Sequence, residues 1–311
     1  MASPNLLEYA EIWSTALDQQ AVQIATTGWM EANSSQVTYT GGKKIRIPEM
    51  YTTGLGDYQR GTGASNRGKY AQGSVEIKYR DYELEMDRST EFSWDRHDVD
   101  ETAYILTAPA TMGEFQRTQV VPELDAFRYS RLASIVMAQG AGAYQSQTLT
   151  SSTILAEFLG QIRAMQNKTG VDTGNLVASM PYSVYAILEQ AALAKSQITP
   201  QTFTQGGLTF EVKTINGVSI IPVVEDRMKT EYVFHSGATD LGFEPTAGAK
   251  TTNWLIMPRN LPIAISKTDN LKTWTPDQNQ NGDDWLIQYR KYHDLLVKHN
   301  QLNQIILSIQ S

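Results

Sequence analysis

The chain has no cysteine among its 311 residues. That removes disulfides, thiolate metal sites and thiol nucleophiles in any compartment. Histidine is nearly as scarce, with four residues in all: His97, His235, His293 and His299. None sits in a paired metal-ligand spacing. Arg96-His97-Asp98 and Tyr292-His293-Asp294 put an acid beside a histidine, but neighbours on a strand point to opposite faces. Each histidine therefore reads as a hydrogen-bonded structural group. No nucleophile elbow is present either, so no enzyme, cofactor or catalytic residue is nominated. A basic excess is also missing: Lys plus Arg is 26 against 33 for Asp plus Glu, a net charge of −7. This argues against a dedicated nucleic-acid or anionic-membrane binder, though not against loose packing of nucleic acid on one face. No stretch approaches the ~18 apolar residues of a membrane span. The start, MASPNLLEYAEIW, lacks the basic and apolar regions of a signal peptide. With 41% hydrophobic and 19% charged residues, a soluble globular protein is expected.

The most organised stretch runs from Thr111 to Gly140. Leu124, Phe127, Arg131, Leu132, Ile135 and Val136 recur at spacings of three, four and seven, which is an amphipathic helix. Pro122, Glu123 and Asp125 suit a first turn, where proline loses only an orphan N–H and acids complement the positive helix end. Met112, Phe115, Gln119 and Val120 continue the spacing upstream, so a longer helix kinked at Pro122 is an equal reading. Gly140, with Gly142 just beyond, ends it. Such a spine would run ~28 to 45 Å.

Residues 3–30 read as a second amphipathic helix, with Ser3 as cap, Pro4 in first position, then Leu6, Tyr9, Trp13, Leu17, Val22 and Ile24. Residues 36–48 read as strand. Six glycines follow between Gly54 and Gly73, and then SVEIKYR alternates Val75, Ile77 and Tyr79 against Glu76, Lys78 and Arg80. The alternation slips near Asp81, where Tyr82, Leu84 and Met86 take over, and predicts a bulge. Two strands and a glycine-rich tip make a long hairpin. A lone hairpin is marginal in water, so it is expected to find support on another chain.

Beyond the spine, AGAYQSQTLTSS reads as linker. Ile154 to Met165 reads as helix, LVASM as a short buried strand, and Pro181 opens a helix to about Lys195. LTFEVKTI, Asn216-Gly217 and VSIIPVV give two strands around a type I′ turn. Residues 150–250 thus look like a compact α+β unit. TNWLIM, LPIAI and WLIQYRKYHDLLV read as further strands. Two motifs fail on inspection. Gly63-Ala-Ser-Asn-Arg-Gly68-Lys69 has phosphate-loop spacing but is followed by Tyr70 and a strand, not by Ser or Thr and a helix. Asp277-Gln-Asn279-Gln-Asn281-Gly282 begins like a calcium loop, but its twelfth position is Gln288.

IRIPEMYTTGLGDYQRGTG (45–63), DRSTEFSWDRHDVDET (87–102), VVPELDAFRYSRLA (120–133), INGVSIIPV (215–223) and TPDQNQNGDDWLIQYRKYHDLLV (275–297) resemble, in this order, segments of tailed-bacteriophage major capsid proteins. The resemblance spans about 40–300. It implies the Hong Kong ninety-seven type capsid fold, an α+β fold shared with encapsulins. Its parts would be an N-terminal arm (1–35), an extended hairpin loop (36–92), a peripheral domain with the spine helix (93–149 and 250–311) and an axial domain (150–249). The implied function is self-assembly as pentamers and hexamers into a shell around double-stranded DNA, inside a virion built in the host cytoplasm. Separate scaffold, portal and decoration proteins would be partners, and no membrane. Gly54, Gly56, Asp57, Tyr58, Arg60, Arg67 and Lys69 of the loop would contact a neighbouring subunit. Pro122, Glu123, Leu124, Phe127, Arg128 and Arg131 would shape the spine. Lys195, Lys229 and Lys298 are candidates to face the enclosed DNA. No motif supports covalent cross-linking through Lys69. The rival readings are an encapsulin-like compartment, a virion tail or adaptor protein, and an enzyme on an α+β scaffold.

Overall fold

The computed structural model describes residues 25–37, 44–60, 67–96, 108–194, 198–205, 208–237, 239–280 and 282–311, and only the backbone of 59–60, 67–69, 108–110 and 208–211. The chain divides into two compact units, residues 37–85 and the remainder.

The smaller unit holds β1 (Lys44–Thr52), β2 (Gln59–Arg60), β3 (Arg67–Lys69) and β4 (Val75–Glu83). β1 and β4 pair antiparallel without a break from Lys44↔Glu83 to Thr52↔Val75. β2 and β3 pair nearer the tip. The hairpin read from the sequence is present, with two corrections. Gln36 closes a 3-10 turn over Gly28–Gln36 rather than opening a strand, and β1 continues past Pro48 to Thr52. The expected bulge at Asp81 is absent, because Asp81 pairs with Arg46 in unbroken register. The alternation slips for another reason. The chain leaves this ladder after Glu83 and enters a different sheet at Met86, so two strands, not one bent strand, meet there.

In the larger unit β5 (Met86–Asp95) precedes the spine, made of α1 (Ala108–Phe115), a π-helical segment (Gln116–Val120) and α2 (Val121–Met137). Pro122 has no N–H to offer the carbonyl four residues back, and its ring crowds that carbonyl. The helix widens instead of breaking: Val120 keeps φ −68° and ψ −47°. The longer of the two helix readings is the observed one. No free helix end therefore exists at Pro122, and the role read for Glu123 and Asp125 as acids on a positive helix end is replaced by side-chain pairing. Gly140, at φ +107°, follows the last helical turn. The helix expected over residues 3–30 lies outside the described residues up to 24. At its end it is corrected, since Ala25–Thr27 are not helical and Gly28 begins the 3-10 turn.

The rest follows as β6 (Tyr144–Ser146), α3 (Ile154–Thr169), β7 (Leu176–Pro181), α4 (Tyr182–Leu193), β8 (Ile198–Gln205), β9 (Leu208–Ile215), β10 (Val218–Val223), β11 (Tyr232–Phe234), β12 (Phe243–Pro245), β13 (Thr252–Pro258), β14 (Ile263–Trp274), β15 (Asp284–Leu296) and β16 (Ile306–Ile309). The predicted turn between β9 and β10 has Asn216 at φ 53° and Gly217 at φ 82°, the left-handed pair a type I′ turn requires. The expected linker contains β6, which lies parallel to β16 at a sheet edge. β8, with Pro200 inside it, occupies the opposite edge, where a missing N–H costs no ladder bond.

One mixed sheet in the order β6-β16-β13-β7-β10-β9-β8 organises this unit. Phe127, Leu132 and Val136 of α2 pack on one face with Val177, Leu255 and Met257. Phe158 and Ile162 of α3 and Leu188 of α4 pack on the other with Ala178, Trp254 and Ile256. Burial on both faces explains why LVASM and TNWLIM read as continuous apolar runs rather than alternating ones. The second sheet, β14-β15-β5, is longer and narrower. Its β5 alternates strictly, with Met86, Arg88, Thr90, Phe92 and Trp94 inward, and its inner face packs against α1 through Phe92 and Phe115.

Candidate functional site

The β1–β4 register sorts the hairpin's side chains onto two faces. Pro48↔Tyr79, Met50↔Ile77 and Thr52↔Val75 share one of them. On it Met50 is 67% exposed, Val75 67%, Ile77 53% and Tyr79 64%. The predicted apolar face thus exists, and its residues are exposed. At its base stand two directly opposed ion pairs, Lys44–Glu83 at 2.6 Å and Arg46–Asp81 at 2.8 Å. Arg46 reaches both Asp81 oxygens and holds that carboxyl below its ordinary range. The other face carries Glu49, whose buried carboxylate accepts from Arg80 at 3.0 Å and from the Tyr51 hydroxyl at 2.7 Å.

At the tip Gly54, Gly56, Asp57 and Tyr58 are exposed. The Tyr58 and Tyr70 rings meet edge to face at 5.1 Å. A Cβ on Gly56 would come within 2.6 Å of the Ala71 Cβ, so glycine permits a close approach of the two irregular segments there. Arg60 stands opposite Arg67, and Lys69 opposite Gln59; the side chains of Arg60, Arg67 and Lys69 lie outside the described part. Gly63 to Asn66 of the phosphate-loop match also fall outside the described residues, and Gly68-Lys69 are strand. Asp277 and Gln278 of the calcium-like stretch lie in a turn after β14 and Asn281 lies outside the described residues, with Arg96 3.8 Å from Asp277 and 3.9 Å from Asp283.

The spine residues tie elements together. Glu123 accepts from Arg88 at 2.6 Å, joining α2 to β5. Leu124 and Phe127 are core residues. Arg131 approaches Asp294 of β15 at 3.9 Å. Arg128 is buried, donates to the Thr27 carbonyl at 3.1 Å and pairs with Glu31. Beside it Asp125, which the sequence reading assigned to a helix dipole, is fully buried. It accepts from Thr26 N at 3.1 Å, Thr26 Oγ1 at 3.0 Å, Thr27 N at 3.1 Å and Thr27 Oγ1 at 2.6 Å, with Arg227 at 3.3 Å. Tyr129 donates toward Thr26 Oγ1 at 3.1 Å, and burial raises its phenol pKa. This cluster ties Thr26 and Thr27 to α2. One signal for it was in the sequence: Asp125 stands four residues after Val121 and seven before Leu132, a charge on the buried stripe. A buried charge demands partners. Of the candidate lysines, Lys195 lies outside the described residues. Lys229 donates to Thr251 at 2.8 Å and Lys298 to Gln36 at 3.1 Å.

A long helix with a π-helical segment over a narrow three-stranded sheet, a wide mixed sheet with helices on both faces, and a separate long hairpin together define the fold of tailed-phage capsid proteins. The capsid structure of cyanophage P-SCSP1u superposes with a TM-score of 0.60, covering 88% of this chain and 85% of that one at 9% identity. The mature capsid of bacteriophage PhiM1 gives 0.57, covering 87% and 82% at 11% identity. The capsid of Staphylococcus phage Andhra gives 0.53, covering 87% and 81% at 12% identity. No family model matches the sequence, and no curated protein does. The likeness lies in the fold, at identities where sequence alone shows little.

Proposed function

We propose that this chain is a major capsid protein that assembles as pentamers and hexamers into an icosahedral or prolate head shell around double-stranded DNA. The observation that carries the reading is the open apolar strip of Met50, Val75, Ile77 and Tyr79 on a hairpin unit, in a chain with the capsid fold. Exposed contiguous apolar surface marks an interaction site, and the occupant is a second copy of the chain. Residues 1–35 then serve as arm and 36–92 as extended loop. Residues 93–149 with 250–311 form the peripheral domain, and 150–249 the axial domain. Arg60, Arg67 and Lys69 meet acidic groups on the neighbour, while the tip glycines let one sequence bend differently in pentamers and hexamers. Scaffold, portal and decoration proteins are separate chains, and packaged DNA contacts the shell loosely, as a net charge of −7 allows. The role is structural rather than enzymatic, in a virion assembled in the host cytoplasm.

Negative-stain microscopy with size-exclusion light scattering on the purified protein tests this. Closed shells, or pentamers and hexamers, are expected. A monomer at all salt and protein concentrations, even with scaffold protein added, overturns the reading. Deleting 57–70 should leave folded subunits that fail to close shells.

A further inference from the structure

Methionine carries a soft, polarizable thioether, and its oxidation in a folded chain depends on whether an oxidant can reach the sulfur. Met30, Met112, Met165, Met180, Met228 and Met257 are each 1% exposed or less. Met86 and Met137 are partly buried against the core of the larger unit. Met50, on β1, is 67% exposed. Among the described residues it is the one methionine whose side chain stands open to solvent.

Its place in the hairpin gives that exposure a consequence. Met50 pairs with Ile77, and the neighbouring pairs on the same face are Pro48↔Tyr79 and Thr52↔Val75. Met50 therefore lies in the middle of the exposed apolar strip. Oxidation turns a flexible apolar side chain into a polar, chiral sulfoxide. On the open strip the new oxygen is solvated. Beneath an apolar neighbour it would give up that water without gaining a donor, and burying an unpaired polar group opposes association.

We infer that Met50 is a modification site for hydroperoxides, and that its sulfoxide keeps subunits from associating through the strip. A lone pair on Met50 Sδ attacks one peroxide oxygen, and the S–O bond forms as the O–O bond breaks. With hydrogen peroxide the products are the sulfoxide and water. Sulfur gives up an electron pair and the peroxide accepts it, so no further reactant enters. The consequence for association rests on the proposed function, in which the strip meets another copy. On that reading the dispersed subunit presents the site and the assembled one covers it.

Peptide mass mapping of the dispersed chain during hydrogen peroxide treatment tests the site, and light scattering tests its consequence. The Met50 peptide should gain oxygen first, those of Met86 and Met137 later, while the buried methionines stay unmodified. The concentration at which the oxidised chain assembles should rise about tenfold or more, the effect of burying one unpaired polar group. A methionine sulfoxide reductase should bring it back. Met50→Leu, compared only with itself before and after peroxide, should keep one threshold. Oxidation of Met86 or Met137 as fast as Met50 overturns the site. An oxidised parent that assembles at the untreated threshold overturns the consequence. So does a rise that the reductase leaves in place, or a Met50→Leu chain that loses assembly to peroxide. The proposed function fails differently: the untreated parent does not assemble, or Met50 oxidises as fast in assembled as in dispersed protein. Either result overturns the consequence too, whereas slow oxidation of Met50 in an assembling parent overturns the site alone.

Discussion

The two units solve the problem of charge and apolar surface in opposite ways. In the larger unit Asp125 is buried and partnered, accepting four hydrogen bonds besides its ion pair with Arg227, and Ile287, Leu255 and Trp254 are sealed in the core. Although Glu49 on one face of the hairpin is buried and partnered, on the other face the arrangement is reversed. Its ion pairs at Lys44–Glu83 and Arg46–Asp81 stand in water, and so do Ile77, Val75 and Met50. A sequence selected only for the stability of one folded chain would not expose that strip. Under the proposed function, the hairpin's exposed strip is covered by another copy of the chain.

The sharpest way to break this contrast is Asp125→Ala. It leaves Arg227 without its carboxylate and four donors without an acceptor, in a site closed to water. Removing one partner from such a cluster costs ~3–5 kcal/mol, read as a lowered denaturation midpoint in urea. Asp125→Asn keeps one acceptor oxygen and should lose less. If Asp125→Ala unfolds at the same urea concentration as the parent, the buried cluster is not what anchors Thr26 and Thr27 to α2.

Ile77→Asp tests the other side. Exposed in the subunit, Ile77 should leave the urea midpoint unchanged, since surface substitutions away from special features alter stability by only ~0.5 kcal/mol. Assembly should suffer, because burying an isoleucine contributes ~1.5–3 kcal/mol and each ~1.4 kcal/mol is tenfold in an equilibrium constant. The concentration needed for assembly, followed by light scattering, should rise about ten- to a hundredfold per contact. Assembly at the parent's concentration would show that the strip is not an interface.

Legibility followed the same division. The spine, the hairpin, the Asn216-Gly217 turn and the strand at LVASM were readable because each rests on local periodicity or turn chemistry. What escaped was set by distant partners. β8 and β6 are edge strands whose polar sequences become strand only through β9 and β16. The supposed bulge at Asp81 was a change of sheet, which periodicity cannot distinguish from a slipped strand. Asp125 was visible as an acid near a proline, and nothing local said that Thr26 and Thr27, about a hundred residues earlier, would supply its donors. The apolar face of SVEIKYR was legible as a face. That its residues stay exposed was not.

His293 offers a smaller, pH-dependent test inside the larger unit. Unfolded, its imidazole takes a proton near pH 6.5; folded, burial keeps it neutral to well below that value, and Arg128, Lys291 and Arg88 oppose its charge. Between the two values the unfolded state binds the extra proton, so stability falls as pH falls below about 6.5, by at most ~1.4 kcal/mol per pH unit. Urea midpoints at pH 7 and pH 5.5 should differ for the parent and converge for His293→Phe. An unchanged slope in that variant would place the titrating group elsewhere.

The smallest effect is expected where the geometry looks strongest. Arg46 grips both oxygens of Asp81, and the pairing lowers the Asp81 pKa and raises that of Arg46. Both side chains are largely in water, however, where solvent screens the attraction and fixing two side chains costs entropy. Arg46→Met should therefore leave the subunit's urea midpoint where it was, at low and high salt alike. If its assembly threshold also stays put while that of Ile77→Asp rises, the hairpin binds through its apolar strip, and the ion pairs at the base only set the register of the two strands. If Arg46→Met raises the threshold as much, and only at low salt, the base of the hairpin itself meets a charged surface on the next chain.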